Sequence, residues 1–142
     1  MSERTLRTRV PVTAAVAAVA HLTLDAVASR VSWATPPYLL LDHVAGPFRD
    51  VVALDRTSVA IAVAIAASSV NGLITATLAA ALDETGRPVR ALGLLLSGLW
   101  VLSGGLLALI YLSAPLGVLA GSLAAGVPRS FAIAWIAERV RR

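Results

Sequence analysis

Apolar residues fall in four long runs separated by short polar segments. A helix that crosses a bilayer needs about 20 predominantly apolar residues, each adding about 1.5 Å. The stretches at about 10–33, 57–82, 91–112 and 114–137 meet that requirement and predict four transmembrane helices. The second carries no charge, whereas Asp25 and Arg30 interrupt the first and Pro128-Arg129 interrupts the fourth. The expected architecture is an all-α integral membrane protein, one domain over residues 1–142, folded as an antiparallel four-helix bundle. The basic start followed by Ala26-Val27-Ala28 also fits a secretory leader; the reading adopted is a first transmembrane helix.

Residues 34–56 form the only sizeable segment between spans. Gly46-Pro47 divides it, since Gly can close one helix and Pro can open the next. Leu41, Val44, Phe48, Val51 and Val52 recur at helical spacing, which predicts a short interfacial helix on the extracytoplasmic side.

Composition narrows the function. Of 142 residues, 58% are hydrophobic and 14% charged, with a mean hydropathy of +0.82. A soluble domain this small could not bury so much apolar surface, which excludes a conventional soluble enzyme. Disorder and an ordinary nucleic-acid module are excluded on the same ground. The absence of cysteine removes disulfides, thiolate metal sites and covalent haem attachment. All 12 basic residues are arginine. Three groups of them (Arg4, Arg7 and Arg9; Arg87 and Arg90; Arg139, Arg141 and Arg142) fall on one side of a four-span chain. The positive-inside rule makes that side cytoplasmic, so the chain is expected in the cytoplasmic membrane with both termini on the cytoplasmic side. Trp33, Tyr38 and Tyr111 then mark the outer interface and Trp135 the inner one. The expected partner is the lipid bilayer, with no nucleic acid.

Helices in lipid associate through small and polar residues. Each span carries such a seam: Ala14, Ala18, His21, Asp25 and Ala28 in the first; Ala60, Ala64, Ser68, Asn71 and Thr75 in the second. The third has Gly93, Ser97, Trp100, Gly104 and Tyr111, and the fourth Gly117, Gly121, Ala124 and Pro128. Close approach is expected where Gly104 and Gly105 meet the glycines of the fourth span.

His21, Asp25 and Asn71 demand more than packing, because a carboxylate at a helix centre costs about 2.5–3.5 kcal/mol on insertion scales. His21 and Asp25 are spaced i, i+4 and share a face, so they can pair or hold one titrating proton. With Asn71 and Trp100 at similar depth they form the candidate substrate and proton site. The plain alternative is structural glue, with His21 and Asp25 satisfying each other.

Asp42-His43 could approach His21 and Asp25 from the loop, a donor set suited to zinc or another divalent ion. No cofactor is otherwise expected. Arg129, placed after a helix-disrupting proline, is expected to snorkel to phosphate or to open a basic interfacial helix. It would thus join Arg139, Arg141 and Arg142 as a lipid anchor.

No P-loop, dinucleotide fingerprint, serine elbow or carbonyl filter is visible. In gross size and span count the chain resembles the small multidrug resistance transporters, though it lacks their first-helix glutamate, with only His21 and Asp25 nearby. The leading expectation is an oligomeric, proton-coupled transporter or permease for a small or lipophilic substrate. The alternatives are a non-catalytic scaffold or accessory subunit of another membrane protein, and a metal-dependent interfacial enzyme using Asp42 and His43.

Overall fold

A computed structural model describes residues 3–31, 33–45, 48–82, 88–111 and 113–141. Among them lie helices α1 (Glu3–Ala28), α2 (Phe48–Leu54), α3 (Arg56–Ala81), α4 (Pro88–Tyr111) and α5 (Leu116–Arg141). Two 3₁₀ turns, Pro37–Leu39 and Leu41–His43, precede α2, and there is no strand among the described residues. Four of the helices, α1, α3, α4 and α5, are long and apolar enough to cross a membrane.

Their polarity is arranged for lipid. Thr13, Ala17, His21 and Asp25, each one turn from the next, form the buried row of α1, while Val12, Val16, Val19 and Val27 face outward. The same inversion recurs in α3, where Ser68 and Thr75 are buried and Ile61, Ile65, Val70 and Leu73 are exposed. Water would oppose this distribution, because it leaves large apolar faces wet. A bilayer favours it.

The four long helices associate as two tight pairs, α1 with α3 and α4 with α5, joined mainly where α1 meets α5. In the first pair the backbones come close at Gly72. A methyl group there would lie 2.5 Å from the Ala14 carbonyl oxygen and 2.7 Å from Ala18. Because that obstacle is largely backbone, Gly72→Ala should separate the helices and destabilise the fold by about 1–3 kcal/mol, as overpacking does. Thermal unfolding of the purified variant checks this. In the second pair glycines receive aromatic rings: Gly93 faces Phe131 and Gly126 faces Trp100.

Three expectations change. First, α1 stops at Ala28 instead of continuing to Trp33. Arg30 and Val31 bond back three residues, to Val27 and Ala28, tightening the chain into turns, and Pro36-Pro37 cannot extend a helix. Second, α5 runs unbroken through Pro128 and Arg129 to Arg141, so it neither ends near Val127 nor starts a separate helix there. Third, the α5 seam lies on a different face. Ser122, Gly126, Arg129, Ser130, Ile133, Ala137 and Arg141 are buried, whereas Gly117, Ala124 and Pro128 are exposed and Gly121 is half-buried against the Trp33 carbonyl. Gly104 meets Leu123 and Pro37, and nothing lies within 4 Å of where Gly105 or Gly117 would carry a methyl. The expected glycine-to-glycine contact is therefore replaced by glycine against side chain.

The ends of the bundle are tied by backbone acceptors. Arg9 donates to the Arg141 carbonyl, and Arg141 donates to the Ala79 carbonyl in the last turns of α3. At the loop end Ser122 Oγ donates to the Thr35 carbonyl at 2.5 Å. Ser113 donates to the His43 carbonyl through its N–H at 2.8 Å and its hydroxyl at 3.1 Å. Asp55 caps α3 by accepting the Ser58 N–H at 3.0 Å. That bond holds its carboxyl below the ordinary aspartate value. The Gly46-Pro47 break lies outside the described residues, as do Arg87 and Arg142.

Candidate functional site: a buried Asp–Arg–Tyr cluster between two cavities

Asp25 closes the buried row of α1 and is fully enclosed. Its two carboxylate oxygens are taken by different elements. Arg129 Nη1 of α5 donates to Oδ1, and the Tyr38 hydroxyl donates to Oδ2 from the first 3₁₀ turn. Burial pushes the Tyr38 phenol above its ordinary pKa, which keeps the hydroxyl protonated as a donor. The guanidinium carbon of Arg129 sits 3.7 Å from the centroid of the Trp100 ring, in cation–π range. Tyr38 meets the same ring edge-on, centroids 5.9 Å apart. Gly126, one turn before Arg129, leaves the notch that Trp100 fills. Acid, base, phenol and indole thus come from α1, α5, a loop turn and α4.

This arrangement reassigns several residues. Arg129 is 9% exposed and ion-paired within the protein, so the structure does not place it at a headgroup. A guanidinium halfway along an apolar helix is better compensated by a buried carboxylate than by a strained reach to phosphate. Tyr38 is half-buried, with its hydroxyl on Asp25. Arg141 is buried as well, its guanidinium bonded to Ala79 and 4.0 Å from Glu138. Arg139 is exposed, 5.1 Å above Trp135.

His21 and Asp25 share the buried row, yet no hydrogen bond or ion pair joins them. The His21 Nε2 instead lies 3.5 Å from Thr75 Oγ, and its Nδ1 has no partner. Thr75 in turn donates to the Asn71 carbonyl at 2.7 Å.

Two cavities flank the cluster. One, about 700 Å³, is lined by Asp25, Ser29, Asp42, His43, Arg56 and Ile61 among others. The second, about 500 Å³, includes His21, Tyr38, Asn71, Trp100, Arg129 and Ser130. Asp25 therefore lines one and its partners Arg129 and Tyr38 line the other, so the ion pair stands at the partition. Of the four residues of the expected substrate and proton site, His21, Asn71 and Trp100 line the second cavity and Asp25 lines the first. Asp42 and His43 share the first cavity with Asp25 but not with His21. The Asp42 carboxylate is engaged by Arg56 at 2.5 Å, and no group of three or more metal-ligating side chains converges among the described residues.

Sequence reasoning missed the roles of Tyr38 and Arg129. A usable signal existed for Arg129: outside the span ends, Asp25 and Arg129 are the isolated acid and base in otherwise apolar runs, and burial favours their meeting. Tyr38 offered none, because an aromatic beside a span ordinarily reads as an interface anchor.

No protein-family model, curated protein or solved structure matches this chain. Its function is argued from the site.

Proposed function

We propose that the protein is a proton-coupled permease of the cytoplasmic membrane, in which the Asp25–Arg129–Tyr38 cluster is the exchangeable barrier between two solute cavities. The observation that carries this reading is the division of the ion pair, with Asp25 on one cavity and Arg129 on the other. Releasing Arg129 from Asp25 would connect the two spaces, and protonating Asp25 removes the charge that holds it. The titratable or charged groups around that exchange are His21 and Asp25 of α1, Tyr38 of the loop turn and Arg129 of α5, with Asp42, His43 and Arg56 lining the first cavity beside Asp25. Neither α3 nor α4 contributes one to the second cavity. Asn71 and Trp100 orient the solute.

The topology that suits this role is an antiparallel bundle with both termini cytoplasmic. Asp25 meeting Arg129 while Arg9 meets Arg141 supports opposed directions for α1 and α5. The arginine-rich ends support the orientation, and α2 would lie along the outer surface. A single small bundle leaves little room for a full pathway, so the working form is an oligomer.

The test is uptake into proteoliposomes across an imposed pH gradient, using two probes of opposite chemistry, benzenesulfonate and tetraphenylphosphonium. Gradient-driven uptake of either one, lost in Asp25→Asn, is expected. Rates equal to protein-free liposomes for both probes would contradict transport and favour a scaffold for another membrane protein.

A further inference from the structure

Beyond the ion pair, the second cavity has an uneven polar lining. Arg129 pairs with Asp25 through Nη1, while its Nε and Nη2 have no partner. Those two atoms form one edge of the guanidinium, a planar fork that matches the two oxygens of an oxyanion. Beside it the Trp100 Nε1 is also buried without a partner, as is His21 Nδ1. Arg129 and Trp100 are each 9% exposed, so bulk solvent does not readily satisfy them. Leaving such groups without a partner is costly, more so when they are charged. The unpartnered atoms of Arg129 and Trp100 are donors, and both side chains line the same space.

Apart from Tyr38, Asn71, Ser103 and Ser130, the rest of that space is apolar, and it opens sideways. Its walls are Ala67, Val70 and Ile74 of α3 and Leu96, Leu99 and Leu107 of α4, from two helices that barely touch each other. Val70 and Leu99 are themselves exposed, so the crevice faces the acyl chains. Its volume of about 500 Å³ lies within the range of small-molecule sites. Arg129 stands about 20 Å along α5 from Leu116, near the helix midpoint. That is too deep for a phospholipid headgroup at rest in its own leaflet.

We propose that the α3–α4 crevice binds a free organic anion: an oxyanion on the Arg129 fork, with a compact apolar body against Val70, Ile74, Leu96 and Leu99. This identifies the substrate class of the permease proposed above and rests on that reading for its biological meaning. The charges also indicate stoichiometry. Asp25, Arg129 and one bound monoanion sum to a single negative charge, which uptake of one proton neutralises.

The experiment is equilibrium binding of labelled benzenesulfonate to the full chain in phosphatidylcholine nanodiscs. Two variants accompany it. Arg129→Lys keeps a cation for Asp25 but has no fork, and Ala67→Phe fills the crevice without touching the ion pair. Saturable binding is expected, weakened about tenfold or more in each variant, the equivalent of about 1.4 kcal/mol. Helical content and elution volume should be unchanged in Ala67→Phe. No saturable binding, binding by either variant as tight as by the unaltered chain, or displacement by tetraphenylphosphonium would overturn the assignment. Displacement by phosphatidylglycerol added to the disc would also overturn it, giving the fork to a lipid headgroup. Binding without uptake would remove the permease and leave the anion site; uptake of tetraphenylphosphonium without sulfonate binding would do the reverse.

Discussion

Replacing Arg129 with alanine should destabilise the protein by about 3–5 kcal/mol, the usual consequence of removing one member of a buried ion pair. The loss goes beyond one hydrogen bond. Asp25 is fully enclosed, and without the guanidinium its charge would remain in an apolar interior with only the Tyr38 hydroxyl as partner. The cation over the Trp100 face would vanish too, so α1, α5 and the loop turn would lose a common anchor. Arg139→Ala is the control, because that side chain is exposed and should change stability little. Thermal unfolding in nanodiscs, followed by loss of helical signal, compares the two.

Gly126→Val should be the most damaging change among the glycines. A Cβ at this position would run into the Trp100 indole, and the ring is held on its other contacts by Arg129 and Tyr38. The indole would have to leave its notch or α4 and α5 would have to separate. Overpacking of this kind costs about 1–3 kcal/mol, and lost aromatic contacts add to it. With Trp33 and Trp135 replaced by Phe, Trp100 is the sole indole, since the chain has three tryptophans. Its emission should shift on Gly126→Val, together with a lower unfolding temperature. An unchanged spectrum would mean that Trp100 does not occupy the notch.

The glycine result also shows where sequence patterns carry structural information. The apolar runs set the number of long helices because length and hydropathy are properties of the local chain. The α4 seam was legible, since Gly93, Ser97, Trp100 and Gly104 recur at helical spacing and all are buried. In α5 the same logic chose Gly117, Gly121 and Ala124, yet the buried face carries Ser122, Gly126 and Arg129. Small residues are abundant on both faces of α5, and only the partner helices decide which face turns inward. Asp25 was visible as an anomaly, but its partners were not. Arg129 is 104 positions away, and Tyr38 reaches the carboxylate only because α1 ends at Ala28 and the loop folds back over it.

The direct contact between Asp25 and Arg129 ties α1 to α5 inside the bundle. Its most direct test is a double-mutant cycle of Asp25→Asn, Arg129→Gln and the pair together, measured by reversible unfolding in bilayers. The single changes should each destabilise strongly, while the double variant should be markedly more stable than their sum implies, giving a coupling of about 0.5–3 kcal/mol. Strict additivity of the two substitutions would contradict the pairing.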